Sequence, residues 1–389
     1  MAVAKALNKW RNVLSSTLAP EEDERLTLAY RASMRTFIEP FSKLRTKDAR
    51  IVPFQFWVEQ EMLDAVAQEI RGQGRPVRMI VLKARQTGTS TWSSALLYLR
   101  ARLWANSNCM LAAYERETAE KIFQMIKLFH NMLPPELRAM VSRDSKGMLR
   151  FENPRPERRA EDPGLMSEIV VNTAQKISIG RGYTLQGFAG SECAFWDGDN
   201  LHAVLNALAD IPDSFGILES TANGAGTLYH ELWEEALRPE SEFVPVFIPF
   251  WMSPDNEIGL DPEEERFGLD PPLSDYERSL VARFKDVTPL DWLRKIKWRR
   301  RKCIMDCRGR ELMMRQEAPA TALEAFIVQG QSAFDPEAIQ FYTDQVKRPM
   351  VVGRLIRVGF GVRARVQFVE DSRGYLQVWQ HPERGMQYS

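Results

Sequence analysis

The sequence predicts an α/β protein with a mostly parallel central sheet flanked by helices and a small β-rich C-terminal subdomain. Three observations carry this reading. From residue 78 to residue 250, short apolar runs alternate with stretches of helical periodicity, and strands separated by helices pair in parallel in one sheet. The first apolar run, 78–83, opens onto a turn rich in Thr and Gly and then a helix. After residue 350 the pattern switches to strand-like alternation, with no helix between the runs.

Residues 1–50 read as helical and polar, a cap on the core. Residues 51–72 read as a helix entered through Pro53. A strand at 78–83 leads through the turn 84–89 to a helix at 90–103, then a strand at 108–113. The helix at 115–133 places Ile122, Met125, Ile126 and Phe129 at helical spacing. Residues 134–165, rich in Pro and charge, form an irregular hairpin or loop. Strands follow at 168–172, 185–192, 214–221 and 243–250, with a helix at 226–237. Residues 254–275 read as a surface connection, and 276–317 as helical and strongly basic. Strands at 351–356, 362–369 and 375–379 complete the chain. The expected division is a helical cap over 1–50, a core over 51–253 and a helical and β-rich linker subdomain over 254–389.

With 52 basic and 52 acidic residues the formal charge is zero, which excludes a globally basic nucleic-acid coat but not local basic patches. Cys109, Cys193, Cys303 and Cys307 are too scattered for a disulfide framework, and no second Cys or His pair accompanies Cys303 and Cys307 to make a zinc site. They read as reduced intracellular thiols. There is no apolar run long enough for a membrane span and no secretory signal at the N-terminus, so a cytoplasmic protein is expected.

The chemistry concentrates at strand ends. The turn after the first core strand reads Lys83-Ala84-Arg85-Gln86-Thr87-Gly88-Thr89-Ser90-Thr91. Aligned on Gly88 with the pattern G-x-x-x-x-G-K-[ST], it has Lys83 in place of the first Gly and Thr89 in place of the Lys, while Ser90 keeps the hydroxyl that ligates magnesium. Such a turn between strand and helix offers backbone N–H groups and a helix dipole to phosphate. Lys83 or Arg85 supplies the cation. Hydrolysis also needs a carboxylate that orients water for in-line attack. Glu192, in Gly190-Ser191-Glu192-Cys193-Ala194-Phe195-Trp196, is the candidate at a strand end, with Ser191 standing where a first, metal-assisting acid is usual. At the next strand end, Glu219-Ser220-Thr221-Ala222-Asn223-Gly224 offers polar groups that sense the γ-phosphate.

These strings resemble the large terminase family of tailed double-stranded DNA bacteriophages over about residues 51–334. The 83–90 string is similar to that family's deviant Walker A, 191–196 to its Walker B, and 220–224 to the coupling motif that links hydrolysis to movement. Pro53-Phe54-Gln55 looks like the adenine-recognising segment, which implies that Gln55 reads the base. The strings 247–251 and 316–326 resemble later family segments; no chemical role follows from the residues of the second. The resemblance implies a P-loop NTPase fold of the additional-strand, catalytic-glutamate (ASCE) type and an ATPase motor that translocates DNA into a procapsid. The implied site has catalytic Glu192, with Arg85 in cis or Arg181 in trans as an arginine finger. Nucleotide is bound by Gln55 and residues 83–91, coupling runs through Ser220, Thr221 and Asn223, and Mg2+ is held at Ser90 and Ser191. ATP and Mg2+ are the implied cofactors. The implied partners are double-stranded DNA, the portal protein, the small terminase subunit and copies of the chain in a ring, a pentamer by resemblance. The implied location is the host cytoplasm, transiently docked on the procapsid. The family's C-terminal nuclease domain is expected to be absent from this chain, which ends about where its first strand would begin. A motor of this kind grips DNA through phosphates. Two basic segments are candidates: Lys295 to Lys302, and Arg143 to Arg159. Two other classes fit the residues: a superfamily-2-type helicase or translocase, and a nucleotide-dependent scaffold that does not hydrolyse.

Overall fold

A computed structural model describes residues 33–46, 48–175, 182, 184–286, 288, 290–326, 350–358, 365–371, 374 and 376–378. Arg181 and most of the expected N-terminal cap lie outside the described residues. The chain divides into two compact units, Met1–Gln329 and Gly330–Ser389.

In the first unit, helix α1 (Met34–Phe41) leads into a two-stranded antiparallel ribbon, β1 (Lys43–Arg45) and β2 (Ile51–Pro53). The segment read as one helix over 51–72 is therefore a strand and then a helix, α2 (Val58–Gly72). Pro53 ends the ribbon rather than opening the helix, consistent with the extended backbone a proline imposes on its predecessor. The chain continues through β3 (Val77–Lys83), α3 (Thr89–Leu103), β4 (Asn108–Ala113) and α4 (Arg116–Met132). The segment at 134–165 contains a hairpin, β5 (Arg143–Asp144) and β6 (Met148–Phe151). Then come β7 (Ser167–Thr173), β8 (Gly187–Ser191), α5 (Gly198–Leu205), β9 (Phe215–Ser220), α6 (Leu228–Ala236) and β10 (Val244–Ile248). The remaining helices are α7 (Pro262–Phe267), α8 (Asp275–Phe284), α9 (Trp292–Cys307), α10 (Glu311–Glu317) and α11 (Ala322–Ala325).

Eight strands form one sheet in the order β10-β3-β9-β8-β4-β7-β6-β5. From β10 to β7 every pairing is parallel, and only β6 and β5 run antiparallel at the far edge. Strand β9 thus lies between β3, which feeds the glycine-containing turn, and β8, which ends on the candidate acid. That inserted strand is the defining feature of the ASCE division of P-loop folds, so the fold class read from the sequence is the one observed.

Alternation along the strands divides the core between the two sheet faces, because successive side chains point to opposite sides. Met79 and Val81 of β3 pack with α2, α3 and α4, including Leu63, Trp92 and Phe129. Ile80 and Leu82 pack with α5 and α6, including Leu201 and Trp233. Both faces are dry, which is why β3 is apolar at nearly every position. The Tyr229 hydroxyl, buried in α6, donates to the Val81 carbonyl at 2.8 Å and ties that helix to the sheet. A third cluster gathers α8, α9 and α10 around Ile296, Met314 and Phe250, and it includes Ala84 of the turn.

The second unit contains a three-stranded antiparallel sheet in the order β12-β11-β13, with β11 at Val351–Val358, β12 at Arg365–Glu370 and β13 at Leu376–Val378.

Candidate active site

The turn after β3 is shaped by two residues with left-handed backbone, Gln86 (φ 64°) and Gly88 (φ 71°). Gly88 is required on two counts. Its φ suits glycine, and a Cβ there would lie 2.8 Å from Nε2 of Gln60. That amide donates to the Gly88 carbonyl at 3.0 Å, and its Oε1 accepts from the Trp57 N–H at 3.0 Å. Gln60 therefore meets the turn, and Gln55 is exposed in the segment ahead of α2. The turn is pinned elsewhere by the Ala84 N–H on the Ile248 carbonyl (2.8 Å) and by the buried hydroxyls of Thr87 and Thr89, 2.9 Å apart. Thr91 faces the Met125 sulfur at 3.7 Å.

The acid strand ends in a strained position. Glu192 adopts φ 60°, ψ 36°, a left-handed conformation that costs a non-glycine residue about 1–2 kcal/mol. Such strain is retained where the surroundings over-determine it, commonly at functional sites. Burial holds the Glu192 carboxyl above the usual carboxylate range, and the negative charge of Glu219 adds to the rise.

Between these two elements lies a residue without an assigned role in the sequence reading. Glu219, near the end of β9, is 1% exposed. Its Oε1 accepts from the Ser90 hydroxyl at 2.6 Å and from the Ser191 hydroxyl at 2.6 Å. Its Oε2 lies 3.1 Å from the Lys83 ammonium. Lys83, Ser90 and Ser191, proposed from two separate strings, thus converge on one buried carboxylate. The available sequence signal was a lone acid inside the apolar strand Phe215–Ser220.

The coupling string is tied to the acid loop. The Ser220 hydroxyl accepts from the Ala194 N–H (3.1 Å), and the Asn223 amide donates to the Ala194 carbonyl (3.2 Å). Thr221 is buried beside them. These two hydrogen bonds tie the strand ends together.

The 316–326 string, which had no deducible role, braces both loops. Gln316 donates to the Ala222 carbonyl at 2.7 Å. The Glu317 carbonyl accepts from the Arg85 N–H at 3.1 Å, and its carboxylate pairs with the Arg85 guanidinium, with Nη2 to Oε1 at 3.2 Å. Arg85 is thereby turned onto Glu317. Beside it lies a cavity of about 160 Å³ lined by residues that include Gln86, Trp298 and Met314.

Most cations of the Lys295–Lys302 run have partners within the fold. Lys295 is buried with its ammonium on the Ser253 carbonyl, and Lys297 pairs with Glu264. Arg299 is buried against Glu311, Arg300 pairs with Glu277 at 2.6 Å, and Lys302 pairs with Asp306 at 2.9 Å. These charges serve the packing of α9, while Arg301 of the same run is exposed. In the other basic segment Arg150 pairs with Glu168 and Arg159 with Glu152, whereas Arg143, Lys146, Arg155 and Arg158 are exposed.

The strand order is that of a P-loop fold of the ASCE type, with the glycine turn after β3, Glu192 just past the end of β8 and β9 between the two strands. No protein-family model and no curated protein sequence matches this chain. Solved structures that do match include large terminases of bacteriophages. The ATPase domain of the Thermus phage P74-26 large terminase is 15% identical, with 69% of this chain and 94% of that one covered and a TM-score of 0.45. The HK97 bacteriophage large terminase is 17% identical over 67% of this chain and 52% of that one, with a TM-score of 0.44. The large terminase of a thermophilic bacteriophage, in complex with ADP, is 10% identical over 82% of this chain and 66% of that one, with a TM-score of 0.43. Among the described residues no helix is long and apolar enough to cross a membrane.

Proposed function

We propose that this chain is the ATPase portion of a terminase large subunit, hydrolysing ATP to translocate double-stranded viral DNA into a procapsid. The observation that carries the ATPase reading is the convergence of Lys83, Ser90 and Ser191 on the buried Glu219 carboxylate, with Glu192 next in the chain to Ser191 and with the turn after β3 held in left-handed backbone at Gly88. The motor reading is supported by the sequence strings at 191–196, 220–224 and 316–326.

In this reading the turn 83–91 holds the phosphates through backbone N–H groups and the Lys83 ammonium, and Gln55 meets the adenine. Ser90 and Ser191 hold Mg2+. The fit is chemical: their hydroxyl oxygens approach a common carboxylate oxygen at 2.6 Å each, and a small hard cation takes such oxygen donors together with phosphate and water. Bound there, the metal neutralises charge developing on the transferring phosphoryl group. Glu192 orients the attacking water and takes its proton. Ser220, Thr221 and Asn223 pass the change at the acid loop to β9 and the turn that follows. A finger arginine comes from Arg181 of a neighbouring copy, or from Arg85 once it leaves Glu317. DNA is held through its phosphates, without base reading, and the exposed Arg143, Lys146, Arg155 and Arg158 are the cations offered for it. Portal protein, small terminase subunit and a homo-oligomeric ring are the partners this role requires.

The test is steady-state ATP turnover across a protein concentration series, for the wild type beside Lys83→Ala and Glu192→Gln. Turnover is expected to rise with concentration. Glu192→Gln should lower it by about 10²–10⁴-fold, the usual contribution of a positioned base. A wild type that binds ATP and never turns over, with DNA and portal present, would replace this reading with that of a non-hydrolysing scaffold.

A further inference from the structure

We propose that Glu219 supplies the metal-assisting carboxylate of this site, from β9, in place of the acid that Ser191 leaves out of β8. The proposal rests on the ATPase reading and adds a residue to it.

The register makes the exchange possible. Glu219 is the Cα partner of Ser191 on one side and of Val81 on the other, so it stands between the acid strand and the strand that feeds the phosphate turn. Its Oε1 lies 2.6 Å from the Ser191 hydroxyl. A carboxylate grown from position 191 would enter the volume that the Glu219 carboxylate fills. Two carboxylates at that distance repel, and one would have to take up a proton. Serine at 191 and glutamate at 219 are therefore complementary: one strand gives up the charge and the neighbouring strand provides it.

The Glu219 carboxylate depends on a counter-charge that the phosphate turn also needs. It is 1% exposed, and its Oε2 has no hydrogen-bond partner; its ionic neighbour is the Lys83 ammonium at 3.1 Å. A buried carboxylate needs a cation close by. Lys83 is also the cation the phosphate turn needs. When phosphates draw Lys83 towards themselves, Oε2 is left facing the site without its counter-charge, and the divalent cation that arrives with the nucleotide restores it. The hydroxyls of Ser90 and Ser191 lie 2.6 Å from the other oxygen of the same carboxylate, Oε1, so hard oxygen donors suited to Mg2+ gather around Glu219.

The experiment measures equilibrium binding of a fluorescent ATP analogue to the full chain against Mg2+ concentration. It compares the wild type with Glu219→Gln, Glu192→Gln and the double variant Glu219→Gln/Ser191→Asp, with thermal melts as the folding check. In Glu219→Gln the Mg2+ midpoint should rise about tenfold or more. Metal-free affinity should increase, because Lys83 is released to the phosphates. Glu192→Gln, which removes a charge from the acid loop, should raise the midpoint less than Glu219→Gln does, and the double variant should regain the wild-type midpoint, since its acid stands on the strand end where the serine was. If Glu219→Gln melts below the assay temperature, Glu219→Asp carries the test with an expected rise of about threefold or more. An unmoved midpoint in a folded Glu219 variant overturns the metal role and leaves the ATPase reading intact. An affinity loss of equal size with and without Mg2+ also overturns it, because a packing role alone would do that. A wild type that binds no ATP, with or without metal, overturns the ATPase reading and the metal role together.

Discussion

Two cationic stretches of this chain look alike in one dimension and differ in space. Lys83 and Arg85 sit in a turn whose backbone is held in unusual conformations by glycine and by contacts from α2 and α10. Their partners, Glu219 and Glu317, lie 136 and 232 residues away in the chain, beyond several intervening elements. Lys295 to Lys302 carries more charge, yet it lies on a helix whose cations meet acids and carbonyls supplied by the elements packed around it. Charge density in a sequence does not identify a binding surface; what matters is whether the fold has already supplied partners. The turn has local geometry aimed at a ligand, whereas α9 has its ligands built in.

The comparison breaks if the helix cations prove dispensable to stability. Arg299 is 2% exposed, its Nη1 lies 3.0 Å from Glu311, and its guanidinium stands 4.8 Å over the Tyr276 ring. Arg299→Ala should cost about 3 kcal/mol in urea unfolding, the scale of a broken buried pair. If the loss is negligible while DNA binding falls, α9 is a DNA surface after all.

A titration in the core, away from both stretches, gives a further measure of what burial does to charge. His130 is buried against Tyr98, with the hydroxyl 3.2 Å from Nδ1, and its pKa is lowered to about 4, first by burial and then by Arg102 and Arg138. The folded value lies below the unfolded value near 6.5, so the unfolded chain takes up the proton first. Stability is therefore full above pH 6.5 and declines as pH falls towards 4, by about 2–3 kcal/mol in all. Urea midpoints at a series of pH values, with His130→Gln flattening the curve, check it.

Smaller effects separate the turn from the helix more finely. Glu317→Ala removes the acid that holds Arg85 from outside the turn. The KM for ATP should rise about three- to tenfold, of the order of one ordinary hydrogen bond, with little change in melting temperature. An unchanged KM would mean that the 316–317 brace is packing alone. Lys302→Ala removes a pair four residues apart on α9, 2.9 Å long and largely exposed. Its expected cost is about 0.3–0.5 kcal/mol, measurable in the same unfolding series. A loss near that of Arg299→Ala would erase the distinction drawn here within the helix.

The sheet was legible because its signals are local. The strand at Asn108–Ala113 falls where the apolar run lies, and β3, β9 and β10 differ from their expected bounds by a residue or two. The ribbon at β1 and β2 was missed because three-residue strands carry too little periodicity to read and the helical pattern of α2 ran up to them. In the site, Lys83, Ser90, Ser191 and Glu192 could be named from turn chemistry and from position at a strand end. Glu219 was printed in the string that begins the coupling motif, yet its meaning depends on β9 lying between β3 and β8. Gln60 carried no signal in the sequence, and only the approach of α2 to Gly88 singles it out.

The sequence by itself determined the alternation of strands and helices, the conformation-demanding glycine at 88 and the hydroxyl and acid at the strand ends. Each follows from periodicity or backbone chemistry within a few residues. Tertiary structure decided which charges meet. Strand order set Glu219 between Lys83, Ser90 and Ser191, and the return of the chain at 316–317 set Glu317 against Arg85 and Gln316 against the coupling turn. Electrostatic partnership depends on separation in space, and the parallel sheet brings together residues that are more than a hundred positions apart in the chain.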